Sequence, residues 1–173
     1  MGHNGLVPYR PSTLPAGART LSSEEVAALE RDMADIVAKS HLFKSLDEQA
    51  RKELLESAFV MQYDPGETIL REGEPGDSMF LVMDGAVRVH TKAAHGSEIP
   101  LADLGRGACI GEVSVLTGSP RTATVDAVTA VTCAVLARHR VQRILDAHPK
   151  VRGLLEALVE GRARQTLERI LGG

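Results

Sequence analysis

From Ala58 onward the chain breaks into short runs of alternating apolar and polar residues, most of them closed by a glycine-containing turn. This rhythm constrains the fold more than any other feature. A two-residue period puts apolar side chains on one face of an extended strand. The expected strands are Phe59–Tyr63, Thr68–Arg71, Met79–Met83, Ala86–Thr91, Ile99–Leu104, Ala108–Ile110, Ala123–Val128 and Thr132–Ala137. Pro65-Gly66, Gly73 to Asp77, Asp84-Gly85 and Gly105 to Gly107 supply turns between them. Eight short strands at this spacing predict a jelly roll or barrel, since doubling or closing a sheet removes its exposed edges.

Helical periodicity flanks this block, so the fold class is α+β: an eight-stranded jelly roll with N-terminal helices and two C-terminal ones. Residues 1–20 are rich in Pro, Gly and small polar residues and read as a flexible tail. Within residues 21–40, Ser22 and Glu25 form a capping-box pattern, and Val26, Leu29, Met33, Ile36 and Val37 follow at helical spacing. One amphipathic helix is expected from Leu21 to Lys39, and a second, shorter one from Asp47 to Ser57. After the strands, helices are expected over Arg138–Ala147 and from Pro149 to about Leu171. Gly153 and Gly161 each cost about 1 kcal/mol in the interior of that last helix, so it depends on what it packs against. The heptad pattern fails at Gly161 and Gln165, leaving no long dimer seam and suggesting a monomer or weak homodimer.

The stretch Ile110–Val125, reading IGEVSVLTGSPRTATV, carries the chemistry. Gly111 permits close backbone approach, and Glu112 offers an acceptor to hydroxyl donors. The residues after it can form a helical turn whose free N–H groups face an anion. Gly118 and Pro120 end the turn, and Arg121 presents a planar fork to two phosphate oxygens. Taken singly, Arg121 also reads as a surface arginine on a turn, Glu112 as a helix-start carboxylate and Thr122 as an ordinary strand residue. It is their order that suggests a site.

Other chemistries find little support. A net charge of −3 offers no general attraction to nucleic acid or acidic lipid. No run nears the roughly 18 apolar residues of a membrane span, and no signal-peptide layout or myristoylation pattern opens the chain. Cys109 and Cys133 sit in apolar runs and read as buried free thiols of a cytoplasmic protein. His3, His41, His90, His95, His139 and His148 form no His-x-His pair, so no metal is expected. Ser78 and Ser114 lack a histidine that spacing can nominate, and the P-loop signature is missing. No enzyme is expected.

The segment GEVSVLTGSPRTATV, the helix ending HLFKSL, the series YDPGETILREGEPGDSMFLVMDGAVRV and the two C-terminal helices together resemble the cyclic nucleotide-binding domain family. The resemblance runs from about His41, so residues 41–173 are expected to form one such domain with C-terminal lid helices. It implies that Arg121 pairs with the phosphate and that Glu112 accepts the ribose 2′-hydroxyl beside the Gly111 N–H. Val113 and Ser114 then belong to a cradle of backbone amides. Thr122 would touch the phosphate through its N–H, and its hydroxyl makes cyclic GMP permissible, with cyclic AMP modestly favoured. Leu154, Leu155 and Leu158 are candidates for purine contact. Arg162 matches a base-contacting arginine of channel-type members, or is a solvated helix charge.

A helix-turn-helix needs two further helices after the long one, and only Gly172 and Gly173 follow, so no DNA partner is expected. The implied function is a cyclic-nucleotide sensor that signals through a partner protein by movement of its C-terminal helix. The competing reading is an interaction scaffold whose pocket is unused or weak.

Overall fold

The computed structural model describes residues 17–157. Four helices precede the main strands: α1 (Ser23–Arg31), α2 (Met33–Lys39), α3 (His41–Ser45) and α4 (Glu48–Glu56). Strands β1 (Arg19–Thr20), β2 (Phe59–Tyr63), β9 (Val131–Ala137), β4 (Ser78–Asp84) and β7 (Cys109–Ile110) form one sheet in that order. Strands β3 (Thr68–Leu70), β8 (Thr124–Ala127), β5 (Val87–Lys92) and β6 (Glu98–Leu104) form the other. Every pairing is antiparallel. A short helix, α5 (Glu112–Thr117), interrupts the strands, and α6 (Arg138–Asp146) and α7 (149–157 as far as described) follow them.

The two-residue period explains why there are two cores. In β9, Val131, Cys133 and Val135 point between the sheets and meet Phe80, Val82, Val87 and Val125. Ala134 and Leu136 point the other way, onto Leu42, Phe43, Leu54, Leu145 and Leu155 of the helices. The five-stranded sheet is therefore buried on both faces, which explains the near-continuous apolar runs of β4 and β9. Both cysteines are buried free thiols, and burial pushes the Cys133 thiol up to about 12.

Two elements differ from expectation. The helix expected over Leu21–Lys39 is α1 and α2, separated at Asp32, where the backbone leaves helical geometry (φ −87°, ψ 4°). The Asp32 carboxylate pairs there with Arg106 from the turn between β6 and β7, and Leu29 and Ile36 on either side both reach the core. No glycine or proline marks this break; a long-range contact does. The N-terminal cap is as expected, with the Ser22 hydroxyl accepting from the Glu25 N–H and the Glu25 carboxylate from the Ser22 N–H.

The second difference is β1, a ninth strand inside the expected flexible tail. Arg19 and Thr20 pair with Val60 and Phe59, and the Arg19 guanidinium holds the Glu25 carboxylate at 2.5 Å. Two residues are too few to show a period, so only the partner strand reveals this one.

Candidate ligand-binding site

The segment between β7 and β8 is closed at both ends by left-handed glycines: Gly111 (φ +80°) caps the start of α5 and Gly118 (φ +75°) its end. At Gly111 a Cβ would also stand 2.7 Å from Arg121 Nη1 and 3.1 Å from the Ser78 carbonyl. Glycine is needed there for both reasons. The first N–H groups of α5 have no carbonyl partner within the helix.

Arg121 lies at the centre of the arrangement and is 7% exposed. Its main chain is clasped by the β3–β4 loop: the Arg121 N–H donates to the Glu74 carbonyl (2.8 Å), and the Gly73 N–H donates to the Arg121 carbonyl (2.9 Å). The guanidinium donates to the Gly111 carbonyl and the Ser78 hydroxyl, both at 3.3 Å. Its carbon stands 6.0 Å from the centre of the Phe80 ring. Both bonds are long and go to neutral acceptors, and among the described residues no carboxylate forms an ion pair with Arg121. Burial therefore pulls its pKa below the usual arginine value, while the nearby Asp77 charge pulls it back up.

Glu112 is as deeply buried as any charged group described, at 2% exposure, yet it faces elsewhere. Its Oε1 accepts from the Leu42 N–H (3.2 Å) in the first turn of α3. There the carboxylate serves an N–H group that has no partner within its own helix. Ser114 is buried against Gly76, where a Cβ would approach the Ser114 Cβ to 2.5 Å and the Arg121 Cζ to 2.9 Å. Val113 packs on the helix-side core. Thr122 is exposed in the bend before β8.

Gly111, Ser114 and Arg121 are thus brought to one place, with Thr122 adjacent in the chain, while the Glu112 carboxylate points to the helices. Arg162 and Leu158 lie outside the described residues. Leu155 is fully buried in the helix-side core, whereas Leu154 is 56% exposed.

Residue spacing alone did not nominate Gly76, Asp77 and Ser78 for the site. Gly76 and Asp77 lie in the expected turn from Gly73 to Asp77 and Ser78 opens β4, but their place beside Arg121 follows only from the pairing of β3 with β8 and of β4 with β7. A second feature has no local signal at all. Gln142 Nε2 on α6 donates to the Val115 carbonyl of α5 (2.5 Å), and Arg152 Nη1 on α7 donates to Gln142 Oε1 (2.6 Å). Two side chains thereby join the short helix to the last one. Among the described residues no group of three His, Cys, Asp or Glu side chains is placed to hold a metal. No described helix is long and apolar enough to cross a membrane.

A family model described as "Cyclic nucleotide-binding domain" matches residues 60–148. A CRP-like cAMP-activated global transcriptional regulator of Mycobacterium tuberculosis is 26% identical over 134 residues, covering 78% of this chain and 60% of the regulator. A cyclic nucleotide-gated potassium channel of Mesorhizobium japonicum is 34% identical over 116 residues, covering 67% of this chain and 31% of the channel. The chain therefore spans under two thirds of either relative. Among solved structures, the N-terminal domain of a transcriptional regulator from Streptomyces coelicolor A3(2) superposes with a TM-score of 0.61 at 34% identity, covering 78% of this chain and 94% of that one.

Proposed function

The chain belongs to the cyclic nucleotide-binding domain family, and we propose that it is a sensor module that binds a cyclic nucleotide at the Gly111–Thr122 cassette. The observation that carries this reading is Arg121, a buried guanidinium on long neutral hydrogen bonds with no ion-pair partner among the described residues. A buried charge is costly unless it is paired, and a cyclic phosphate supplies the missing anion. Gly76 and Gly111 leave the space around the guanidinium clear of Cβ atoms. The N–H groups of Val113, Ser114 and Thr122 complete the cradle for the phosphate.

Cyclic AMP is the favoured ligand, and the Thr122 hydroxyl permits cyclic GMP. Glu112 accepts the ribose 2′-hydroxyl once its carboxylate leaves or shares the Leu42 N–H. Arg162 is the proposed contact to the base. The signal leaves through Gln142 and Arg152: a shift of α5 on ligand binding moves the Val115 carbonyl, and with it the two side chains that reach α7. A partner protein then reads α7, in the cytoplasm, where buried thiols stay reduced.

The engagement of Glu112 by α3 favours one second reading, a scaffold whose pocket is weak. Thermal-shift titration of the chain with cyclic AMP and cyclic GMP separates the two. A sensor gains stability as ligand rises above its dissociation constant. No shift with either nucleotide at millimolar concentration defeats the sensor reading.

A further inference from the structure

A cavity of about 870 Å³ opens beside the cassette, walled in part by Ser78 and Phe80, which also touch Arg121. Its floor is apolar, made by Phe59, Met61, Phe80 and Val135, and its size is that of a small-molecule site. Two polar groups at its wall lack partners among the described residues. The Arg138 guanidinium makes no hydrogen bond or ion pair among the described residues, although the Arg138 main chain is fixed by its N–H bond to the Asp77 carbonyl (2.7 Å). The Tyr63 hydroxyl also has no hydrogen-bond partner among the described residues, and burial pushes it up to about 12, so it remains a neutral donor. The charged groups facing the cavity are Arg138 and Asp77, with His139 beside them. Asp77, whose charge also acts on Arg121, forms no ion pair with Arg138, and among the described residues Arg138 has no carboxylate partner.

We propose that this cavity, which borders the cassette, is a second binding site, for a small organic acid. The acid's carboxylate pairs with Arg138 and its flat apolar body lies on Phe59, Met61, Phe80 and Val135. A charge-assisted guanidinium–carboxylate pair fixes orientation, and the Tyr63 hydroxyl supplies a further donor. A neutral molecule of the same shape forfeits both the pair and the preference. The site sits against the route out of the cassette. The Arg138 guanidinium lies over Gly118 at the end of α5, where a Cβ would meet its Nη2 at 2.8 Å, and Gln142 is part of the cavity wall.

The test uses 1-naphthoate and 1-naphthamide, which share a body and differ in charge, titrated calorimetrically into the full chain. The acid should bind saturably and at least tenfold more tightly than the amide, a gap of about 1.4 kcal/mol. Saturating cyclic AMP should not displace it. Arg138→Gln should erase the gap, Arg138→Lys should keep part of it, and Ala137→Leu, which fills the cavity, should weaken both probes. Arg121→Ala, which removes a contact to Ser78 and Phe80 but not the proposed counter-charge, should cost acid binding far less than Arg138→Gln. Equal binding of acid and amide to the unaltered chain overturns the proposal without recourse to any variant, as does no binding. Displacement by cyclic AMP, or loss with Arg121→Ala in place of Arg138→Gln, moves the probe to the cassette and equally overturns it.

Discussion

The cassette holds two buried charges, and they are treated in opposite ways. Among the described residues, Arg121, facing the β3–β4 loop, has for its guanidinium only the Gly111 carbonyl and the Ser78 hydroxyl at 3.3 Å and no ion pair. Glu112, at the other end, has its carboxylate on the Leu42 N–H at the start of α3. One charge is left waiting and the other is already used to tie the cassette to the N-terminal helices. A ligand therefore meets a ready cation and a carboxylate it must compete for. This makes the strand-facing end the source of affinity and the helix-facing end the source of coupling.

The largest expected effect breaks that comparison at its first term. Arg121→Ala should weaken cyclic nucleotide binding by roughly a hundredfold or more, about 3 kcal/mol, because a buried phosphate is left unpaired. In the free protein the same change removes an uncompensated buried cation, so the unfolding midpoint should hold or rise. Glu112→Ala should do the reverse. It strands the Leu42 N–H and should lower the stability of the free protein by about 2 kcal/mol, while costing less ligand affinity than Arg121→Ala. Calorimetry and thermal melts on both variants decide it: the reverse order of affinities would exchange the assigned roles. Gly76→Ala comes next, since its Cβ would collide with Ser114 and the Arg121 guanidinium. Overpacking of this kind costs about 1–2 kcal/mol, and ligand affinity should fall with it.

Much of this arrangement is legible in the order of residues, and the reason some is not is physical. Gly111, Gly118 and Arg121 announce a turn, a short helix and a fork because each acts through its own backbone geometry or side-chain shape. Seven longer strands are legible because burial imposes a local period, and the two-residue β7 because its apolar run stands between turn glycines. The commitment of Glu112 is not legible, because its partner lies 70 residues away and is a main-chain N–H, which has no residue identity to read. The break at Asp32 and the two-residue β1 are hidden for the same reason, each being fixed by a distant partner. So is the Gln142–Arg152 link. Gln142→Leu tests that link with a smaller effect: nucleotide affinity should change little, but the protection of α7 amides from hydrogen exchange should no longer respond to ligand. A response that persists would show that the helix is coupled through packing, for instance through Leu155.

The smallest effect calibrates what a carboxylate contributes when it is paired at the surface. The Arg19 guanidinium holds the Glu25 carboxyl down to about 2, against a burial effect that raises it, with help from Ser22. A folded value below the unfolded one means the pair stabilises the protein fully above the unfolded pKa of 4.5 and loses that contribution as pH falls toward about 2. The pair is half exposed at Arg19, so solvent screening keeps its contribution well under ~1 kcal/mol. Denaturant midpoints of the unaltered chain and Arg19→Ala should differ by a small constant amount above about pH 5 and converge as Glu25 protonates. A difference that survived at the acid end would mean that Arg19 acts through the β1–β2 pairing and not through charge. The contrast with Glu112 would then narrow to burial alone, since both carboxylates would be serving main-chain N–H groups at the start of a helix.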